Sequence, residues 1–193
     1  MYGVALWRTG RLEEAIAEEQ KAVELDPVSL VNNTGLGLAF YYNRRYDQAI
    51  AQERKTLEFD PNYVSAHQWL GNAYVQKSMY GEGIGELEKA SSASPSAPIA
   101  LSWLGYAYAL TGRRADAQKV LMELSELAKQ EYVPAVDRAR VYAGLGEKDK
   151  AFEWLENGLA DRSIANIRVE APWDALRSDP RFADLLRRMN LQP

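Results

Sequence analysis

The stretch QWLGNAY, residues 68–74, returns 34 residues later as SWLGYAY, residues 102–108. Shifting the sequence by that period shows that both heptads belong to a longer pattern. The small residue of the heptad, Gly71 and Gly105, has counterparts at Gly3, Gly37 and Ala139. The aromatic three places on, Tyr74 and Tyr108, is matched by Phe40 and Tyr142 and, less well, by Leu6. A second small residue, twelve after the first, recurs as Ala15, Ala49, Gly83, Ala117 and Ala151. Proline closes the early units at Pro27, Pro61 and Pro95, in the contexts LDP, FDP and ASP. Five units hold one register without an insertion, which chance does not produce.

This set of small, aromatic and proline positions resembles the tetratricopeptide repeat, over residues 1 to about 163. The apolar periodicity agrees with it independently. Each unit holds two stretches with apolar residues at i, i+3, i+4 and i+7, broken by a turn at Thr9-Gly10, Thr111-Gly112 or Leu145-Gly146. Small residues let two antiparallel helices approach closely, and the aromatic fills the wedge between them. One such hairpin cannot bury its apolar face alone, so hairpins stack. The expected fold is all-α: a right-handed superhelix, or α-solenoid, of about five helix-turn-helix repeats with a C-terminal capping helix. The expected organisation is a single domain, 1–193, with a truncated repeat at 1–29, repeats at 30–63, 64–97, 98–131 and 132–165, and a cap at 166–193.

Composition limits the rest. The net charge of −4 offers no general attraction to phosphate backbones, so nucleic acid is not an expected partner. With no cysteine, disulfides, thiol catalysis and Cys-ligated zinc are excluded. The N-terminus has no signal-peptide pattern, and no run approaches the roughly 20 apolar residues that span a bilayer. No membrane partner is expected, and cytoplasm is the expected compartment.

Three departures from the repeat carry information. Met1 falls inside the first helix of unit one, as in a fragment or a chain whose start is covered by a partner. The fourth unit has Lys129 at its closing proline and reads as helical through VLMELSELAKQ. SSASPSAP, residues 91–98, looks like a linker but falls where one repeat passes into the next, so it is read as an inter-repeat turn. Past the fifth unit, Asp179 is an expected N-cap and Pro180 a first helical residue. Phe182, Leu185, Leu186 and Met189 form one apolar face, while Arg187 and Arg188 suit the negative end of the helix dipole. The tail also resembles the C-terminal repeats of bacterial multidomain proteins that carry a winged-helix regulator, a serine/threonine kinase or a nucleotide cyclase upstream. That resemblance implies a sensory or scaffolding module and names no ligand.

Signatures of chemistry are missing: no phosphate-binding loop, H-E-x-x-H, G-x-S-x-G or EF-hand loop occurs. His67, the only histidine, stands where the repeat places a large packed residue and is read as a core contact. GEGIGE, residues 81–86, starts a second helix and is read as its soft segment, not as a phosphate loop. Glu13-Glu14 and Glu18-Glu19 read as a solvated face, and the sequon at Asn32 has no meaning without secretion. No catalytic residue, metal or cofactor is implied.

Proteins resembling this pattern bind along the concave face lined by first helices. Here Trp69 and Trp103 stand two residues after the usual tryptophan position, about 200° around the helix. The expected groove therefore holds Trp7, Thr34, Leu38, Tyr41, Gln68, Trp69, Asn72, Gln76, Ser102, Trp103, Tyr106 and Arg140. Amides among aromatics suit hydrogen bonding to an extended backbone. The lysine, arginine and asparagine of chaperone-tail clamps are absent, since their places hold Thr34, Gly35, Leu38, Ser65 and Trp69. The expectation is a non-enzymatic scaffold that binds a peptide or protein segment. The alternative is a homodimer through the N-terminal end, where Val4, Leu6 and Trp7 lack a preceding repeat to cover them.

Overall fold

The computed structural model describes Leu6, residues 11–94 and residues 97–191. Among these residues every regular element is helical: α1 Leu12–Leu25, α2 Leu30–Tyr42, α3 Tyr46–Phe59, α4 Val64–Gln76 and α5 Tyr80–Ala93. Then come α6 Pro98–Leu110, α7 Arg114–Leu127, α8 Ala135–Gly144, α9 Lys148–Ala160, a 3₁₀ helix at Ala171–Leu176, and α10 Pro180–Arg188. The odd-numbered helices α1 to α9 start at Leu12, Tyr46, Tyr80, Arg114 and Lys148, each 34 residues after the last. The even-numbered ones start at Leu30, Val64 and Pro98 with the same period. Then α8 slips to Ala135, because Pro134 caps it in place of the missing proline at Lys129. The helix expected through VLMELSELAKQ stops at Leu127, and its last residues turn instead.

The turns inside the hairpins explain the constant period. Arg44, Ser78, Gly112 and Gly146 all take positive φ, at 58°, 60°, 75° and 72°. The next amide in each case, from Arg45, Met79, Arg113 and Glu147, donates back to the carbonyl of Phe40, Tyr74, Tyr108 and Tyr142 at 2.9–3.0 Å. That is the Schellman closure, which satisfies an end-of-helix carbonyl and fixes the exit direction of the chain. The sequence signals this turn with glycine in two units, while Arg44 and Ser78 take it despite a side chain. Thr9-Gly10 lies outside the described residues.

Contacts divide the chain into two compact units, Met1–Ala93 and Ser94–Pro193. The divide falls inside SSASPSAP, the stretch read as an inter-repeat turn. In unit 1 each helix from α1 to α5 packs on the next, and α2 also touches α4. Close approach rests on small residues, as the heptad implies. A Cβ added at Gly71 of α4 would lie 2.9 Å from the Gly83 carbonyl oxygen of α5. In unit 2, Gly105 of α6 is gripped by Val120 of α7 and Val141 of α8, 2.7 and 2.9 Å from where its Cβ would be. Phe152, Leu155, Ile164, Ile167, Trp173, Phe182, Leu185 and Leu186 join one core that closes unit 2. Asp179 caps α10 by accepting the Arg181 amide at 3.0 Å, and Pro180 opens the helix as expected.

Candidate functional site

The residues expected to line the groove separate into two environments. On α4, Gln68, Asn72 and Gln76 recur every four residues and share one stripe. The Asn72 side chain is fully buried, yet neither Nδ2 nor Oδ1 has a hydrogen-bond partner, and Gln76 Nε2 is likewise unpaired. Beside this stripe the half-buried Trp69 caps an aromatic cluster. Its ring lies 5.5 Å from Tyr41 and 6.0 Å from Tyr42, and Tyr41 is 5.6 Å from Tyr46. Leu38 is half-buried nearby in the sequence of α2, and Thr34 is buried with its hydroxyl donating to Glu53 at 3.2 Å. Trp7 lies outside the described residues, as does Val4, and Leu6 is buried.

The unit 2 residues do not form an open surface, which corrects the expected exposure. Ser102, Trp103, Tyr106 and Arg140 are all buried, Trp103 to 1% of its free area. The two-residue shift does move Trp103 off its own hairpin, but onto α8, where Arg140 meets it. The Arg140 guanidinium stacks 4.6 Å from the Trp103 ring and 6.0 Å from Trp173. Its Nη1 donates to Asp137 Oδ1 and Ser102 Oγ, both at 2.7 Å, and its Nη2 to Glu170 at 3.3 Å. Trp173 Nε1 donates to the same Glu170 oxygen at 3.2 Å. Burial disfavours the Arg140 charge, but the Glu170 and Asp137 carboxylates more than offset this and hold its pKa above the ordinary value. Read from sequence alone, Arg140 is a surface cation; the signal that it is not is the pair Asp137 and Glu170, which sequence reading passed over.

Two further groups escaped the sequence reading. Glu53 of α3 is buried against α2, where a Cβ on Gly37 would overlap its carboxyl group. Burial pushes its pKa well up, and the Thr34 hydroxyl only partly opposes that. The period exposes the anomaly, because Leu87, Leu121 and Leu155 hold the same place in later units. Glu19 holds it in the first unit; it is half-buried rather than solvated, its Oε2 2.6 Å from where a Gly35 Cβ would be, and burial raises its pKa. His67 is packed as expected, with its Nδ1 2.5 Å from Glu86 Oε2. Among the described residues no group of three acidic or histidine side chains could hold a metal ion, and no helix is long and apolar enough to cross a membrane.

Comparison with known proteins follows the same line. A profile described as tetratricopeptide repeat matches residues 1–29 and 70–124, and one described as TPR repeat matches residues 37–78. The chain belongs to the tetratricopeptide-repeat family. Among solved structures, a thermophilic TPR protein of Thermus thermophilus superposes with a TM-score of 0.69 at 22% identity, over 96% of each chain. MamA superposes at 0.56 and 20% identity, over 88% of this chain and 92% of its own. The APC/C hetero-tetramer Cut9–Hcn1 gives 0.64 at 16% identity, over 97% of this chain and 38% of the matched one. Such identities show a shared TPR fold and no more. No curated protein matches the sequence. Tetratricopeptide-repeat proteins generally serve as protein-interaction scaffolds.

Proposed function

We propose that this TPR chain is a non-enzymatic scaffold that takes an extended peptide or protein segment along α4 in unit 1. The observation that carries the reading is the Asn72 side chain, buried with donor and acceptor both unpaired. Leaving such a group unsatisfied costs about 1–3 kcal/mol, so a structural role alone is a poor reason to have it. A backbone amide of a bound segment supplies one acceptor and one donor, which is what Asn72 lacks. Trp69 and Gln76, both half-buried, flank it and are the side chains a ligand would displace. Aromatic Trp69 then offers an apolar platform beside the amide stripe.

The test begins with peptides selected from a random display library against the wild-type chain. Asn72→Leu should stabilise the fold by about 1–3 kcal/mol, because the unpaired amide is gone, and weaken peptide binding by about tenfold or more. Trp69→Ala should also weaken binding. Unchanged affinity in both variants, measured by fluorescence anisotropy, sinks the reading.

A second reading, self-association, draws on Leu25, Val28 and Val31, exposed to 87%, 64% and 71% around the α1–α2 turn. Native mass spectrometry over a range of concentrations decides it: a monomer throughout rules it out.

A further inference from the structure

The two hairpins α2–α3 and α4–α5 are pinned at the same place by the same kind of bridge. In the first, Asn33 Nδ2 donates to the Pro27 carbonyl at 2.9 Å, and Asn33 Oδ1 accepts from Gln52 Nε2 of α3 at 2.7 Å. One period on, His67 replaces Asn33. Its Nε2 lies 2.8 Å from the Pro61 carbonyl, and its Nδ1 lies 2.5 Å from Glu86 Oε2 of α5. The first bridge is neutral, with donors and acceptors set by amide chemistry. The second is ionisable. A carbonyl only accepts, so Nε2 carries a proton for Pro61. The Nδ1–Oε2 contact then needs one more proton, whichever atom owns it, because a bare ring nitrogen facing a carboxylate repels it.

We propose that His67 and Glu86 form a proton-operated clasp on the α4–α5 hairpin, closed while the pair holds that proton and released once it is lost. On α5, Lys89 donates to the other Glu86 oxygen at 2.8 Å, and Glu82 and Glu88 are exposed. Burial would raise the Glu86 pKa, but the hydrogen bonds from Lys89 and His67 together outweigh it and lower it. On α3, Asp47 pairs with Lys77, Arg54 donates to the Tyr74 hydroxyl, Glu53 bonds Thr34, and Lys55 and Glu58 are exposed. Asp60 in the joining turn accepts the Asn62 amide at 2.9 Å. From α2 the ionisable side chains are Tyr41 and Tyr42, whose rings pack on Trp69.

The held element is also weak by composition. A Cβ at Gly81 or Gly85 would meet nothing within 4 Å, so these glycines lower helix propensity without serving packing. Loss of one link should therefore loosen α5 locally. Because His67 adjoins Gln68 and Trp69, the clasp sits beside the proposed interaction stripe, but it stands or falls without that reading.

The experiment uses the full chain in a Glu53→Gln background, which removes that buried carboxyl's titration from α3, with the clasp either wild type or His67→Asn/Glu86→Gln, which copies the neutral bridge of the neighbouring hairpin. With one histidine in the chain, ¹⁵N-edited NMR reads its titration without ambiguity. Hydrogen exchange, corrected for intrinsic pH dependence, is followed in peptides covering residues 80–93 and 46–59. Across the histidine titration, exchange at 80–93 should accelerate about tenfold or more in wild type, the worth of a charge-assisted hydrogen bond, while 46–59 does not change. In the double variant 80–93 should also hold constant. Unchanged wild-type protection at 80–93, or the same acceleration in the double variant, overturns the proposal. Should the double variant not fold, the contrast between the two wild-type peptides decides alone.

Discussion

Glu53 is a carboxyl group in a column that later units fill with leucine, and it makes the stability of unit 1 depend on pH. Its folded pKa is raised from an ordinary value of 4.5 by burial. The folded state therefore holds a proton that the unfolded chain releases, so stability is full below about pH 4.5 and declines as pH rises toward the folded value. Glu53→Gln keeps a partner for the Thr34 hydroxyl and removes the titration. The unfolding free energy of wild type from urea titration should fall between pH 5 and 8, and that of the variant should fall less, by about 1 kcal/mol or more. Equal slopes would mean that Glu53 titrates normally. The sequence carried this signal in the column Glu53, Leu87, Leu121, Leu155. Residue-scale chemistry was otherwise the least legible level. Trp103 and Arg140 each look like surface residues in isolation, and only their mutual stacking and the ion pairs of Arg140 with Asp137 and Glu170 turn both inward.

At the scale of one helix, the glycines of α5 divide by what surrounds them. Gly83 faces the Gly71 carbonyl of α4, and a Cβ there would lie 2.8 Å from a Val75 methyl and 3.1 Å from the Gly71 oxygen. Gly83→Ala should therefore cost about 1–3 kcal/mol through overpacking. Gly81→Ala and Gly85→Ala meet open space and should stabilise by about 0.5–1 kcal/mol each, since they only remove backbone freedom from the unfolded chain. Thermal unfolding of the three variants checks both signs. A loss of stability in Gly81→Ala would point to a tertiary role for that bare surface. Sequence predicts the soft helix from GEGIGE, but it cannot assign which glycine is contact and which is slack. That distinction depends on the partner helix α4, whose Gly71 and Val75 face Gly83.

At the scale of the molecule, repeat arrays derive stability from each hairpin and its neighbour, so damage stays local. The α10 cap supplies Phe182, Leu185 and Leu186 to the unit 2 core, each buried. Truncation after residue 178 removes about 1.5–3 kcal/mol for each of these side chains. Hydrogen exchange should then show α8 and α9 losing protection while α1 to α3 keep theirs. Uniform loss across the chain would mean stronger coupling than a nearest-neighbour array allows. The period, the hairpins and the cap were all legible in the letters, because small and aromatic residues report close packing directly. The break at Ala135 was not. It depends on how a proline one turn late restarts a helix.

The left-handed residues Arg44, Ser78, Gly112 and Gly146 have an implication for chain editing. Removing residues 46–79 would splice Arg45 to Tyr80, each the residue its neighbour expects, with the Arg44 hinge intact. In the shortened protein Leu87 would inherit Gly37 in place of Glu53, and Asn33 would stand opposite Glu86. One excision would thus delete the misplaced carboxyl and the lone imidazole together, leaving a polypeptide whose acid–base behaviour is simpler than its parent's.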